Sequence, residues 1–247
     1  MISVEDVEKY LIEIATEYLK SQGFEHLAED PAYVFTKLLP FGFDQINFDV
    51  SEVIRGSSVR YGLVRGYKSI EKYWEKYFEE ARGFTFESNL PTLATFGTHA
   101  IYIDKKYEKY PDDAMMYSGA DLIRNKHERE DMKQYFEDFK WQYENLLMPI
   151  LEKSRDVRWL DQKINAEPFR FKDFGEITAI GYSTEFHKLI VAKLAGNPNY
   201  EQIYQLIRST LVEWAEEEEQ GKGMLSAFDK VYEDLKEVKP LENPILE

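Results

Sequence analysis

The residues best suited to chemistry in this chain are four histidines and one row of polar side chains in an alternating stretch. Histidine is the commonest metal ligand and general base. His26 stands four residues before Asp30, and His127 four before Asp131. On a helix that spacing brings both side chains of a pair to one face, where they could share a metal. Each pair lacks a third ligand nearby, whereas an open zinc site takes three protein ligands, so no metal centre is expected. His99 in "TFGTHAIYID" alternates with its neighbours beside Gly97, a position that could line a cleft, although a hydrogen-bonded structural histidine is the favoured reading. His187 borders the apolar face of "EFHKLIVAKL", where a hydrogen-bonded structural histidine is the simpler reading.

The polar row lies in "FDQINFDVSEVIRGSSVRYGLVRG", residues 43–66, which alternates on both sides of a glycine-containing turn. Alternation of this kind describes a half-buried hairpin. Pairing residues whose numbers sum to 109 sets Val50 against Val59, Phe48 against Tyr61 and Ile46 against Leu63 on one side. On the other side Asp49 meets Arg60, and Asn47 meets Gly62. A register shifted by two keeps the apolar matches but sets Asn47 against Arg60. The pattern predicts that Ile46, Phe48, Tyr61 and Leu63 are buried together. Arginines beside carboxylates and an asparagine could hold an anionic ligand, and a glycine opposite Asn47 leaves room for one to approach. The ligand-binding candidates are therefore Asn47, Asp49, Arg55, Arg60, Gly62, Arg65 and His99. No residue is assigned a catalytic role.

Local motifs add little. No G-x-S-x-G elbow is present. The "DFG" at Asp173 to Gly175 lacks the other parts of a kinase, and "GKG" at Gly221 to Gly223 lacks the spacing and terminal hydroxyl residue of a phosphate-binding loop. No cofactor is expected. "VRYGLVRGYKSIEKYWEKY" interleaves basic and aromatic residues, but tyrosine and lysine alternating on an amphipathic helix describe a solvent edge.

The elements that must position these residues are legible in part. Val4, Val7, Leu11, Ile14 and Tyr18 predict a first helix capped by Ser3 and closed by Gly23. "AYVFTKLLPFG", "FDQINFDV" and "SVRYGLVRG" then predict an antiparallel meander. "KSIEKYWEKYFEE" reads as one helix, and "GFTFES" and "TLATFGTHAIYID" as further extended segments. Met132, Phe136, Phe139, Tyr143, Leu146 and Ile150 mark a helix seam that Pro149 should kink or end. Ser154, Val157, Leu160 and Ile164 suggest a short helix, while "FRFKDFGEITAI" reads as a hairpin or as the entry to the next helix, which leaves the structure of residues 155–182 open. Gly196, Asn197 and Pro198 separate two helices of an αα-hairpin, a helical period continues through Leu225, Phe228, Tyr232 and Leu235, and "KPLENPILE" reads as loop. The expected class is α+β, an N-terminal helix and antiparallel meander covered by helices, followed by a mostly helical C-terminal half. The change of texture divides the chain into residues 1–111 and 112–247, two parts that could share one core.

A net charge of −15 over 247 residues repels nucleic acid and anionic membrane and attracts basic partners. Cysteine is absent, which removes disulfides and thiolate chemistry. The acidic residues of the first helix do not suit a secretory signal, and no apolar run suits a membrane span, so a cytoplasmic protein is expected. The reading that follows is a non-catalytic protein-binding or inhibitory protein that engages a basic partner. Its alternative is an enzyme with a dispersed arginine and carboxylate site on the sheet, acting on a small anionic substrate.

Overall fold

A computed structural model of the chain describes residues 4–26, 33–53, 56–83, 94–98, 121–124, 129–166 and 184–247. The protein is α+β: an antiparallel sheet with helices, and a C-terminal half that is helical. Among the described residues no helix is long and apolar enough to cross a membrane. Two compact units form, each assembled from separate pieces of chain. The first takes residues 1–39, 43–64 and 98–152, and the second residues 40–42, 65–97 and 153–247.

In the first unit, helix α1 (Val4–Ser21) buries Val7, Leu11, Ala15 and Leu19, a stripe at every fourth position. Ile14 and Tyr18 lie at its half-buried margin. Gly23 ends the helix at φ 84°, while the N–H of Phe24 donates to Leu19 and that of Gly23 to Lys20. This pair of bonds is a Schellman cap, for which glycine is suited because it adopts the left-handed region without strain. Strands β1 (Glu25–His26), β2 (Tyr33–Leu39), β3 (Gly42–Val53), β4 (Gly56–Tyr67) and β5 (Phe96–Thr98) follow one another in the sheet as a meander, and β6 (Asp121–Arg124) also pairs with β4. Ile46, Phe48, Tyr61 and Leu63 are all buried. Phe48 and Tyr61 both meet Phe139, at 5.2 and 5.0 Å between ring centres, so the apolar side of the hairpin is one surface. Phe139 belongs to helix α4 (Arg129–Gln142), whose Gln142 accepts the hydroxyl of Tyr61 at 2.5 Å. Where an interruption by Pro149 was expected, the helix passes through a π turn at Tyr143–Leu147 and resumes as α5 (Met148–Lys153). Proline removes the N–H that Asn145 would otherwise receive, and a widened turn absorbs the lost bond without ending the helix.

In the second unit the expected helix over residues 68–80 is broken. Short α2 (Lys68–Glu71) passes through a turn and a 3₁₀ segment (Glu75–Tyr77) into α3 (Phe78–Arg82). The break accompanies an inward-facing carboxylate, Glu71, which receives the Trp74 indole N–H at 2.7 Å. Helix α6 (Val157–Ile164) is capped by Asp156, whose Oδ1 accepts the N–H of Arg158 at 2.8 Å, and not by Ser154. Ser154 is fully buried against the Tyr67 hydroxyl, 2.8 Å away. Helix α7 (Thr184–Ala195) buries every residue from Phe186 to Ala192, the polar His187 and Lys188 included. It ends at Gly196 in a second Schellman cap. Helix α8 (Tyr200–Glu217) begins two residues later than Pro198 would suggest, because the Asn197 side chain accepts the N–H of Asn199 and forms a turn first. It packs on α9 (Glu219–Leu235), where Tyr204 and Tyr232 stack with centres 3.6 Å apart. The C-terminal tail has no helix but is held in place. Leu246 is buried, and its N–H donates to the carbonyl of Arg155 at 2.7 Å.

Candidate functional site

The hairpin's polar row can be placed at three of the seven candidate positions. Asn47 is exposed, and a Cβ built at Gly62 would fall 2.5 Å from its Oδ1. Asn47 therefore faces Gly62 and fills with its own amide the space that a ligand was expected to use. The carbonyl of Phe41 accepts the N–H of Lys68 at 3.0 Å, a pair with the same sum of 109. Arg65 shares strand parity with Tyr61 and Leu63 and is 3% exposed, its guanidinium 5.5 Å from the Phe41 ring centre and 5.8 Å from that of Tyr67. It belongs to the buried side of β4 and not to the polar row. The side chains of Asp49 and Arg60, and all of Arg55 and His99, lie outside the described residues. So do Asp30, His127 and the "DFG" segment. His26 is in strand β1, its ring 5.1 Å from Phe35, and not on a helix. Among the described residues no group of three potential metal ligands comes together.

The second unit holds a buried polar cluster. Glu71 Oε2 accepts the Trp74 indole at 2.7 Å and lies 3.0 Å from His187 Nε2, while Oε1 accepts the Thr95 hydroxyl at 2.5 Å. The Thr95 oxygen in turn accepts the N–H of Tyr67 at 3.0 Å. His187 is 0% exposed, stands edge-on to Trp74, and has no partner at Nδ1 among the described residues. Hydrogen on Nε2 satisfies the carboxylate, whereas hydrogen on Nδ1 would find no acceptor. An imidazole oriented by a carboxylate with its other nitrogen unused is the base half of a nucleophilic dyad. Here no reactant has access to that nitrogen, and the cluster ties α2 to α7.

A cavity of about 440 Å³ opens beside α6. Arg158, Asp161, Gln162 and Asn165 line it from one stripe of that helix, at spacings of three and four. Asn197 and Asn199, from the turn between α7 and α8, line the other wall. Asp161 accepts the Asn165 amide at 2.8 Å and the Asn197 amide at 2.7 Å. Burial holds its carboxyl above the ordinary carboxylate range, opposed by these two bonds and by the charge of Lys188. The Asn165 amide also donates to the Lys188 carbonyl at 2.9 Å, which fixes the orientation of its carboxamide. Its Oδ1 is buried without a donor among the described residues.

The corner between α8 and α9 concentrates charge. Residues 200–235 carry nine carboxylates and three basic side chains. Each of the three is engaged: Arg208 with Asp229 at 2.9 Å, Lys222 with Glu219 at 2.6 Å and Lys230 with Glu80 at 2.6 Å. Glu213, Glu216 and Glu217 are exposed, with no cationic partner among the described residues. They sit at the C-terminal end of α8, where the helix dipole is negative and basic side chains are favoured. "GKG" belongs to the same corner. A Cβ at Gly221 would fall 2.6 Å from the Trp214 carbonyl group, and one at Gly223 2.4 Å from the Glu80 carbonyl oxygen. These glycines admit close backbone packing and do not cradle phosphate.

No family model, curated protein or solved structure matches the chain.

Proposed function

We propose that this protein is a non-catalytic binding protein that engages a basic partner, with the α8–α9 corner as the contact. The observation that carries the reading is the uncompensated glutamate cluster of Glu213, Glu216 and Glu217 at a helix C-terminus. Three carboxylates there repel one another and the helix dipole, at a cost of about 0.3–1 kcal/mol each. A cationic surface would remove that repulsion on binding, and the chain's net charge of −15 would steer such a surface toward it. An inhibitor that masks a basic partner is the narrower form of the same reading. Capture of partners by the purified protein from its native lysate, at low and at high salt, tests it. A stoichiometric basic protein retained at low salt and released at high salt is expected.

A further inference from the structure

We propose that the cavity between α6 and the α7–α8 turn binds a free α-amino acid, with its ammonium group against Asp161 and its carboxylate against Arg158. The argument starts from the charges in the wall. Asp161 is buried, and both of its hydrogen-bond donors are neutral amides. A carboxylate offers about four lone-pair positions, so two remain for a cationic donor. Arg158 is exposed, and no carboxylate pairs with its guanidinium among the described residues. It lies one turn from Asp161 on the same helix face, yet the two do not form an ion pair with each other. The wall therefore presents one carboxyl group and one guanidinium, neither of which forms an ion pair among the described residues, with Lys188 acting on Asp161 only through its charge, and a zwitterion answers both.

The remaining groups fit the same ligand. An ammonium group carries three donors, enough for the two remaining lone-pair positions of Asp161. At the other end, α8 starts at Tyr200 directly after the wall residue Asn199, and no side chain caps its first turn. The positive dipole end of that helix favours a carboxylate beside Arg158. Gln162, Asn197 and Asn199 are the other uncharged polar side chains of the wall. The wall contains no aromatic ring on which a sugar or nucleobase would stack. The volume of about 440 Å³ suits a small molecule.

Calorimetric titration of the full chain with each protein amino acid tests the assignment, followed by the N-acetyl derivative and the methyl ester of the tightest. At least one free amino acid should bind saturably. Blocking either charge, or the substitution Arg158→Gln, should weaken it at least tenfold. Arg158 is exposed, so that variant should keep the wild-type melting temperature. Failure of every amino acid to bind, or equal binding of the blocked derivatives, overturns the proposal. Loss of affinity in Arg158→Gln accompanied by a lowered melting temperature is resolved by the N-acetyl derivative and the ester on the wild-type chain, which need no variant. The outcome is independent of whether the acidic corner binds a protein.

Discussion

Nε2 of His187 lies 3.0 Å from Oε2 of Glu71, across 116 residues of sequence, with both side chains buried. The carboxylate also receives the Trp74 indole and the Thr95 hydroxyl, so no oxygen is left without a donor. Removing one partner of such a pair leaves a buried polar group without its hydrogen bond, at a cost of about 1–3 kcal/mol. Glu71→Ala should lower the unfolding free energy by that amount in urea titration. His187→Ala should also destabilise, and the double variant should lose less than the sum. Additive effects would show that the two side chains do not act together.

Gly223 tests close packing against helix propensity. Alanine is better than glycine inside a helix by about 1 kcal/mol, but a Cβ here would fall 2.4 Å from the Glu80 carbonyl oxygen. Backbone cannot yield as a side chain tip can, and overpacking costs about 1–3 kcal/mol. Gly223→Ala should therefore give a net loss of stability and a lower urea midpoint. A raised midpoint would mean that α3 and α9 separate without cost.

Acid should act on the second unit in two opposed ways. Bonds from Lys230 and Ser226 hold the Glu80 carboxyl below its ordinary range, and Lys76 does the same for Asp234. Their contributions are present above the unfolded values of 4.5 and 3.8 and are lost as pH falls through the lower folded values. Burial holds Asp161 and Glu185 above their ordinary range, so their ionisation opposes folding. That penalty is relieved as pH falls from neutrality toward the carboxylate range. The melting temperature should therefore rise on mild acidification and fall on stronger acidification. A steady fall from neutrality downward would contradict these assignments.

The tail is the cheapest part of the fold to probe. Leu246 is 1% exposed, and its backbone donates to Arg155. Leu246→Ala should cost about 2–5 kcal/mol, the range for a buried leucine. An unchanged urea midpoint would show that the tail is not part of the core.

Elements governed by local rules were readable in the sequence: the glycine caps at Gly23 and Gly196, the hairpin register through Asn47 and Gly62, and helix α1, although of its expected stripe Val7 and Leu11 are buried, Ile14 and Tyr18 only half-buried, and the buried Ala15 and Leu19 were missed. Arg65 was misplaced by grouping arginines by proximity in sequence, although strand parity sets it with Tyr61 and Leu63. The helix over residues 68–80 was overextended because its apolar spacing says nothing about a carboxylate turned inward. The Glu71–His187 pair depends on residues 116 apart, and no periodicity reports such a meeting. The cavity was hidden for a related reason. Its α6 stripe is visible once the helix is known, but the opposing wall comes from a turn more than thirty residues later. The glycines of "GKG" show only their tolerance of close contact, and what they contact is set by α3 and the end of α8.

The central claim is that Glu213, Glu216 and Glu217 meet a basic partner. Its most direct test is affinity capture from native lysate with the wild-type chain and with the triple variant Glu213→Gln, Glu216→Gln and Glu217→Gln, compared at low and high salt. Neutralising the three exposed carboxylates should leave the fold intact and raise its melting temperature slightly by relieving repulsion at the helix end. A stoichiometric basic protein captured by the wild type at low salt, weakened at high salt and lost with the variant, is the predicted result. No stoichiometric partner with the wild type, or the same partner held equally by the variant, would contradict the account.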